Sequence, residues 1–317
     1  MQNPNLLSSQ QAANMLGISV DQVRKMISRK EMSTMQVSDR SPHVIPIGEV
    51  IRHKPFVKKK SSMSFDDYQN IDALNATSLK KLNKSLNHYL FQEFEQTPSM
   101  VKGIALHDYV EHKMAGRDFY NYYAVTPNFD KRTKSGKEEL GQFLRENENK
   151  KILSEAENKD IQAMGNAILS NQDFWQLVES KNKKVEEVLL WTHEGIRAKA
   201  RLDYSRQDRD DANVVDIKTC QDASFKGFRS AVFRYLYHIQ AQWYRIGYKA
   251  VYGVWPWFVF CAVENHPPYN VALYELHPDI LAEAQERIDI SVNLYKRFCN
   301  GELVSKGYHE KVECIWA

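Results

Sequence analysis

The chain has 317 residues, a formal net charge of +3 and a composition that is 43% hydrophobic and 11% aromatic. That apolar content can fill a sizeable core, which excludes a disordered or low-complexity chain. The net charge is too small to require or to exclude an anionic partner, so local clusters of charge have to decide that question.

The start of the chain and the cysteines exclude further classes. No basic segment precedes an apolar run, and no run reaches the roughly 20 apolar residues that span a bilayer. The four cysteines are scattered without a CxxC pair, which argues against a zinc ribbon or a disulfide framework. We therefore expect a soluble, cytoplasmic protein with free thiols and no membrane partner.

Residues 1–56 are predicted to form a small winged helix-turn-helix domain. Serines can cap two short helices that are joined at Gly17. The segments STMQV and HVIPI alternate between apolar and polar residues, as the two strands of a hairpin do. This pattern resembles the winged-helix domains of excisionases and MerR-type regulators. The basic, then serine-rich residues 57–64 are interpreted as a linker.

This resemblance implies that the second helix enters the major groove of DNA. Gln22, Arg24 and Lys25 would face outward from that helix, and Arg40 in the hairpin would contact the DNA backbone. The alternative is a helical docking module without DNA contact. The basic run that follows, IRHKPFVKKK, favours DNA binding, although such a run is often only solvated.

Residues 65–317 are predicted to form a mixed α/β domain, with helices flanking a mixed sheet. Helices come first, and the polar stretch 128–160 then separates them from a helix at 160–180. Strand-like runs follow at 185–191, 196–205 and 213–219. A long helical stretch, two alternating strands and a final helix complete the order.

The run NVVDIKT places two charged residues in an apolar strand. Asp216 and Lys218 are two positions apart, so both side chains point to the same face of the sheet. Burying either charge alone would be costly, and a plain salt bridge between them is one explanation. The short pattern alone does not distinguish a salt bridge from a catalytic pair.

The preceding strand supplies a second carboxylate. It carries Asp203, which adjacent antiparallel strands could place beside Asp216. Two carboxylates a few Å apart require a divalent cation or a shared proton, and oxygen ligands suit Mg²⁺ or Mn²⁺. Such an ion would activate water against a phosphodiester, and Lys218 would stabilise the charge that develops on the phosphoryl oxygens.

Three further polar side chains are candidates for the same site. Gln240 and Tyr244 lie four residues apart on one helical face, where they could steady Lys218 or a phosphate, or could simply form a half-buried amphipathic face. His107 lies in the helical segment GIALHDYV and could be a metal ligand or an ordinary structural histidine.

Together, Asp203, VVDIKT and YHIQAQWY resemble the PD-(D/E)XK nuclease superfamily, and in particular its RecE-type, exonuclease VIII-like members. The segments NATSLKKLNKSLNHY and GIALHDYV, and the basic stretch that begins at DKRTKSGK, are also similar to that family. The resemblance runs in order over roughly residues 65–300. The strand with Asp203 reads ARLDY, without the Pro-Asp pair of the family name.

The resemblance assigns a role to each matching residue. It implies a metal shell and a set of catalytic residues: ligands His107, Asp203, Asp216 and the Ile217 carbonyl, the catalytic Lys218, and the supporting Gln240 and Tyr244. Glu187 is expected to be a supporting acid at this site, with Glu186 facing away.

The resemblance also implies an activity. It predicts a processive 5′→3′ exonuclease on ends of double-stranded DNA, used in phage-type recombination. The expected assembly is a homo-oligomeric ring, and the expected partner is a single-strand annealing protein. Arg132, in the basic stretch 130–137, would face the DNA backbone, unless that stretch is only a solvated connector.

Two alternatives keep the same fold. The chain could be a site-directed endonuclease whose front domain selects the target, or a DNA-binding regulator with a weak or inactive nuclease core. The presence of Asp203, Asp216 and Lys218 together argues against an inactive core, because a decayed site usually loses one of them.

Overall fold

The computed structural model describes residues 6–36, 42–46, 49–50, 63, 65–92, 97–130, 132–208 and 211–302. Arg40, nearly all of the predicted linker and the proposed boundaries at residues 56 and 57 lie outside these ranges. The division into two domains therefore stays a prediction. Within the described part of the chain, no helix combines the length and the apolar character needed to cross a membrane.

Two short helices form near the start of the chain, as the serine pattern predicts. Helix α1 spans Ser9–Leu16 and α2 spans Val20–Ser28. Ser8 and Ser19 cap them, and each serine is bonded reciprocally with the glutamine three residues later, which satisfies backbone N–H groups that the first helical turn leaves free. Strand β1 (Leu6–Leu7) pairs antiparallel with β2 (Ile45–Pro46).

The remaining elements follow in chain order. They are α3 (Phe65–Gln69), α4 (Ala76–Lys84), α5 (Leu86–Phe91), α6 (Pro98–Met114), β3 (Tyr123–Thr126), α7 (Lys134–Glu146), β4 (Lys151–Ser154), α8 (Glu155–Leu169), α9 (Gln172–Val178), β5 (Lys184–His193), β6 (Ile196–Asp208), β7 (Asp211–Cys220), α10 (Phe225–Arg234), α11 (Tyr237–Tyr252), β8 (Trp257–Glu264), β9 (Val271–Glu275) and α12 (Pro278–Cys299).

Five of the described strands form a mixed sheet in the order β5-β6-β7-β8-β9. Strands β7 and β8 are parallel, and the other neighbouring pairs are antiparallel. A parallel pair needs a crossover, which α10 and α11 provide. This mixed sheet with flanking helices has the architecture of the restriction-endonuclease-like core and confirms the predicted fold class.

Alternation along the central strands divides the apolar core into two layers. Val214 packs into the layer that includes α11 and α12, whereas Val215 and Ile217 pack into the layer of α6, α8 and α9. Burial of both faces explains why β7 reads as a nearly continuous apolar run. It also explains why the charged residues within that run need local partners.

Two sequence predictions about connections are wrong. The polar stretch 128–160 is no simple separator, because it contains α7, β4 and the start of α8. The long helical stretch before β8 is two helices, because Leu236 adopts a left-handed conformation with φ of 53°. This break starts a new helix at Tyr237, and that helix carries Gln240 and Tyr244.

Candidate active site

The site lies where strands β6 and β7 separate. Their pairing ends at Tyr204 and Val215, and β7 continues beyond that point alongside β8. Asp203 lies in the gap, where its Oδ2 accepts a hydrogen bond of 2.8 Å from the backbone N–H of Ile217. The register places Asp203 across from Asp216, next to the last paired residues.

His107 reaches this gap from helix α6. Its Nε2 is 3.1 Å from the carbonyl oxygen of Ile217, and its Nδ1 is 3.4 Å from Oδ1 of Asp203. Both ring nitrogens therefore face acceptors, which favours the imidazolium. Burial lowers the pKa of His107, but the charge of Asp203 and its hydrogen bond outweigh burial and raise the pKa to about 9.

Asp216 and Lys218 form an ion pair, as their spacing predicts. Burial raises the pKa of Asp216, and it stays raised although Lys218 opposes the shift. Burial lowers the pKa of Lys218, but Asp216 and Asp203 outweigh burial, so the net direction is upward. Both side chains of the pair are largely buried, and Coulombic interactions between buried charges are stronger than in water.

Gln240 connects Asp216 to a lysine that the sequence did not reveal. The Nε2 group of Gln240 donates to Asp216 Oδ1 at 2.9 Å, and its Oε1 accepts from Lys80 Nζ at 3.0 Å. The two contacts fix which way the amide points. The ammonium groups of Lys80 and Lys218 both lie over the ring of Tyr237, at 5.0 and 5.2 Å from its centroid.

Lys80 is in helix α4, and its pKa is strongly perturbed. Burial lowers it to about 7, helped by the nearby charge of Lys218. A lysine at a helical position of a leucine-rich segment gives no sign of this, because surface lysines are common there. The packing of α4 against α11 and α12, which no local pattern encodes, brings Lys80 to the site.

Glu186, not Glu187, faces the site, which reverses the sequence prediction. Strand pairing is present on either side of Glu186, between Val185 and Tyr204 and between Glu187 and Leu202. Glu186 itself is unpaired and has φ of 52°, so the regular alternation fails at this residue. Its carboxylate lies 2.6 Å from Arg201 Nε, and burial, followed by the charge of Asp203, raises its pKa to about 7.

Glu187 instead belongs to a structural network at the edge of the sheet. Its carboxylate accepts hydrogen bonds from Lys184 at 2.9 Å, Ser205 at 2.8 Å and the Tyr252 hydroxyl. Burial raises the pKa of Glu187, but these contacts outweigh it and lower the pKa overall. The prediction that Glu187 is a supporting acid at the metal site is therefore wrong, because its carboxylate contacts this network and not the residues of the gap.

The side chains in the gap fit a divalent cation. One ligand atom from each of His107, Glu186 and Asp203 lies within 4.8 Å of the others. Asp216 lies across from Asp203 at the same gap, where its Oδ1 accepts from Gln240 and its Oδ2 is ion-paired with Lys218. A carboxylate-rich donor set with one imidazole is suited to Mg²⁺ or Mn²⁺. Binding would require the neutral imidazole, and hence release of its proton.

The other predicted site residues are placed as follows. Tyr244 is half-buried on the face of α11 that carries Gln240, and burial holds the pKa of its hydroxyl well above its ordinary value. Arg132 is exposed and bonded to Asp130 at 3.1 Å, away from any site contact that the structure shows.

The three predicted base-contacting residues of α2 are exposed, as expected for a DNA-reading helix. The side-chain oxygen of Gln22 accepts a hydrogen bond of 2.8 Å from the backbone N–H of Ser19. The guanidinium of Arg24 lies 3.4 Å from the carboxylate of Asp21. Lys25 is exposed on the same helix. Their role in DNA binding stays a prediction.

A family model and a solved structure are similar to this chain. Residues 64–316 match the family model described as a PDDEXK-like domain of unknown function, DUF3799. A crystal structure from Eubacterium rectale, described as a candidate exonuclease, is similar with a TM-score of 0.54 and 13% identity, covering 77% of this chain and 88% of that one. At that identity the likeness shows the fold alone.

Two other comparisons add no functional information. The crystal structure of SSO0001 covers 61% of this chain and 88% of its own at 18% identity, but its TM-score of 0.24 is too low to support an argument. No curated protein matches the chain.

Proposed function

Because the chain belongs to the PDDEXK-like family DUF3799, we propose that it is a nuclease that hydrolyses DNA with the help of a divalent metal ion. The observation that carries this proposal is the group of His107, Glu186 and Asp203 in the gap between β6 and β7. The ion pair of Asp216 and Lys218 lies beside it. A salt bridge alone would not require two further acids and a histidine at the same point.

We propose that His107, Glu186, Asp203, Asp216 and the Ile217 carbonyl hold the ion, which we expect to be Mg²⁺ or Mn²⁺. When bound, such an ion polarises a phosphodiester and lowers the pKa of a coordinated water.

The protein's own groups orient the substrate and stabilise charge. Lys218 supplies a fixed positive charge where negative charge develops on the phosphoryl oxygens. Gln240 holds Asp216 in place through its 2.9 Å hydrogen bond, and Lys80 in turn fixes the amide of Gln240. Tyr244, on the same helical face, supports this arrangement.

We further propose that the enzyme degrades double-stranded DNA from its ends in the 5′→3′ direction. The resemblance to RecE-type enzymes supports this proposal, and the structural neighbour is itself described as a candidate exonuclease. The same resemblance supports a ring-shaped homo-oligomer and a single-strand annealing protein as partner. Light scattering on the purified chain would test the ring, and a monomer at micromolar concentration would contradict it.

The nuclease proposal is tested with two plasmid forms and one variant. With Mg²⁺, the wild type should degrade linear duplex and leave covalently closed circles intact. Opening of the circles would indicate an endonuclease, and binding without cleavage of either form would indicate a DNA-binding protein. Lys218→Ala should lose at least about 100-fold in rate, because a preorganised charge at the transition state is removed. Wild-type turnover by this variant would exclude Lys218 from the mechanism.

End-labelled linear duplexes test the direction of digestion. A 5′→3′ enzyme should release the 5′ label first, and comparison of phosphorylated with unphosphorylated 5′ ends shows whether the terminal phosphate is recognised. Early release of a 3′ label would contradict the proposed direction without affecting the assignment as a nuclease.

A further inference from the structure

Helix α10, which follows strand β7 directly, exposes several basic and aromatic side chains. Phe225, Lys226 and Arg229 are exposed along its first turns, and Arg234 and Tyr235 are exposed at its C-terminal end; we name this set the basic–aromatic face. Phe225 is 71% exposed and Tyr235 is 51% exposed. Single exposed rings are common on protein surfaces, so it is their combination with the basic side chains that suggests a binding surface.

The cations of this face have no acidic partner among the residues that the structure describes. Many other arginines of the chain are ion-paired, Arg201 and Arg206 among them. Arg229 instead lies over the ring of Phe233, and Arg234 over that of Tyr235, each at 5.6 Å from the ring centroid. The face thus combines uncompensated positive charge with flat rings.

The face is connected to the catalytic residues by aromatic contacts. The ring of Tyr235 is 5.6 Å from that of Tyr237. The ring of Tyr237 in turn lies 5.2 Å from the ammonium of Lys218, measured to the ring centroid. A polymer bound at Lys218 therefore meets Tyr237, Tyr235 and then Arg234 as it continues along the surface.

We propose that the basic–aromatic face binds single-stranded DNA that is continuous with the strand whose phosphate occupies the site. This inference rests on the proposed function as a nuclease. Arginine and lysine would contact phosphates, and the exposed rings would stack on bases without regard to sequence. Stacking requires unpaired bases, because the bases of a duplex are covered by their neighbours.

A second copy of the chain fits this surface less well than a nucleic acid. In a two-fold symmetric contact the same patch meets itself, so its uncompensated cations would be brought together. Juxtaposed like charges oppose association, whereas a polyanion neutralises them. The charge of the face therefore opposes a two-fold contact through this patch and favours a polyanion such as DNA.

The test is fluorescence anisotropy of a labelled 15-nucleotide oligo-dT and of a matched duplex, with the full chain in EDTA so that no hydrolysis occurs. Phe225→Ala should weaken oligo-dT binding about 5- to 150-fold, the range expected for loss of one stacked base. Phe91→Ala is the matched control, because Phe91 is 75% exposed on another helix, and this variant should bind as the wild type does.

The cations are tested through the salt dependence of binding. Replacing Arg229 and Arg234 by glutamine should reduce the slope of log Kd against log salt concentration by up to about 1.4, at about 0.7 per phosphate contact on a single strand. Lys113→Gln with Lys159→Gln removes the same charge from other helices and should leave the slope almost unchanged.

Several outcomes would overturn the proposal. Unchanged oligo-dT affinity in the Phe225 and arginine variants would remove the face from DNA binding, and equal losses on oligo-dT and duplex would show a general electrostatic patch. A wild type that binds no oligo-dT would also refute it. A wild type that binds through this face but never cuts DNA would instead refute the proposed function, so the two failures are distinguishable.

Discussion

Two adjacent glutamates provide a matched test of the site, because they differ in environment and hardly in sequence position. Glu186 lies with His107 and Asp203, whereas Glu187 lies in the network of Ser205 and Tyr252. Substitution of either by glutamine removes one charge and preserves the shape. We therefore expect Glu186→Gln to impair metal binding and Glu187→Gln to impair stability.

Glu186→Gln should stabilise the metal-free protein at high pH. Burial and Asp203 raise the pKa of Glu186 from 4.5 to about 7, so ionisation is disfavoured in the folded state. The metal-free protein therefore loses stability as pH rises through this interval. At about 1.4 kcal/mol per pKa unit, the loss is at most about 3.5 kcal/mol above pH 7. Glutamine avoids this loss at pH 8 and makes no difference at pH 4.

The same substitution should impair metal binding. A neutral amide is a weaker ligand for Mg²⁺ or Mn²⁺ than a carboxylate. We expect the Mn²⁺ concentration that supports half-maximal hydrolysis to rise by at least about 10-fold, the lower limit seen when even a supporting contact of a metal site is removed.

Glu187→Gln should lower the stability of the protein and leave metal binding unchanged. Its carboxylate accepts hydrogen bonds from Lys184, Ser205 and Tyr252, and bonds to a charged group typically contribute about 1.5–3 kcal/mol. We expect a loss of about 2 kcal/mol in the free energy of unfolding at pH 8, with unchanged Mn²⁺ dependence. Urea denaturation in EDTA and hydrolysis during a Mn²⁺ titration measure both quantities. An unchanged Mn²⁺ requirement in Glu186→Gln, or a changed one in Glu187→Gln, would refute this reasoning.

Three further predictions follow from the contacts. Lys80→Met should lower kcat about 10-fold, because the amide of Gln240 loses the donor that fixes it, and Lys80→Arg should recover part of the rate; equal rates in both variants would contradict this role. Lys199→Met should lower the free energy of unfolding by about 3 kcal/mol in urea, since Lys199 donates to three backbone carbonyls through one buried and two partly buried hydrogen bonds, and an unchanged midpoint would contradict that estimate. Deletion of residues 1–64 should leave metal-dependent degradation of linear DNA intact. A truncated protein that folds but has no activity would show that residues 1–64 take part in loading the substrate.

Much of the fold could be predicted because it depends on local alternation. The apolar residues of β7 alternate between two core layers, so Asp216 and Lys218 had to share a face. The strands that precede and follow β7 are equally regular over most of their length. Long apolar runs and capped helices are specified by nearby residues, which a sequence displays directly.

The rest of the site depends on exceptions to such regularity. Glu186 faces the gap only because its φ of 52° interrupts the alternation of β5, and an L-residue rarely adopts that conformation. Leu236 breaks a helical stretch that has neither glycine nor proline at the break. Lys80 arrives through packing of helices distant in sequence. The prediction that Glu187 rather than Glu186 faces the site was therefore wrong because the strand is locally irregular. Lys80 could not be found because no spacing in the sequence connects it to the site.

The most direct measurement is single-turnover cleavage of end-labelled linear duplex by the wild type and by Asp203→Asn, with Mn²⁺ titrated from EDTA upward. Asp203 accepts from His107 and from the Ile217 backbone at the centre of the gap between β6 and β7. We predict that wild-type cleavage requires Mn²⁺ and saturates with it, and that Asp203→Asn loses cleavage while its far-UV circular dichroism is unchanged. Cleavage by the wild type in EDTA, or undiminished cleavage by Asp203→Asn, would contradict a metal-dependent nuclease site in this gap.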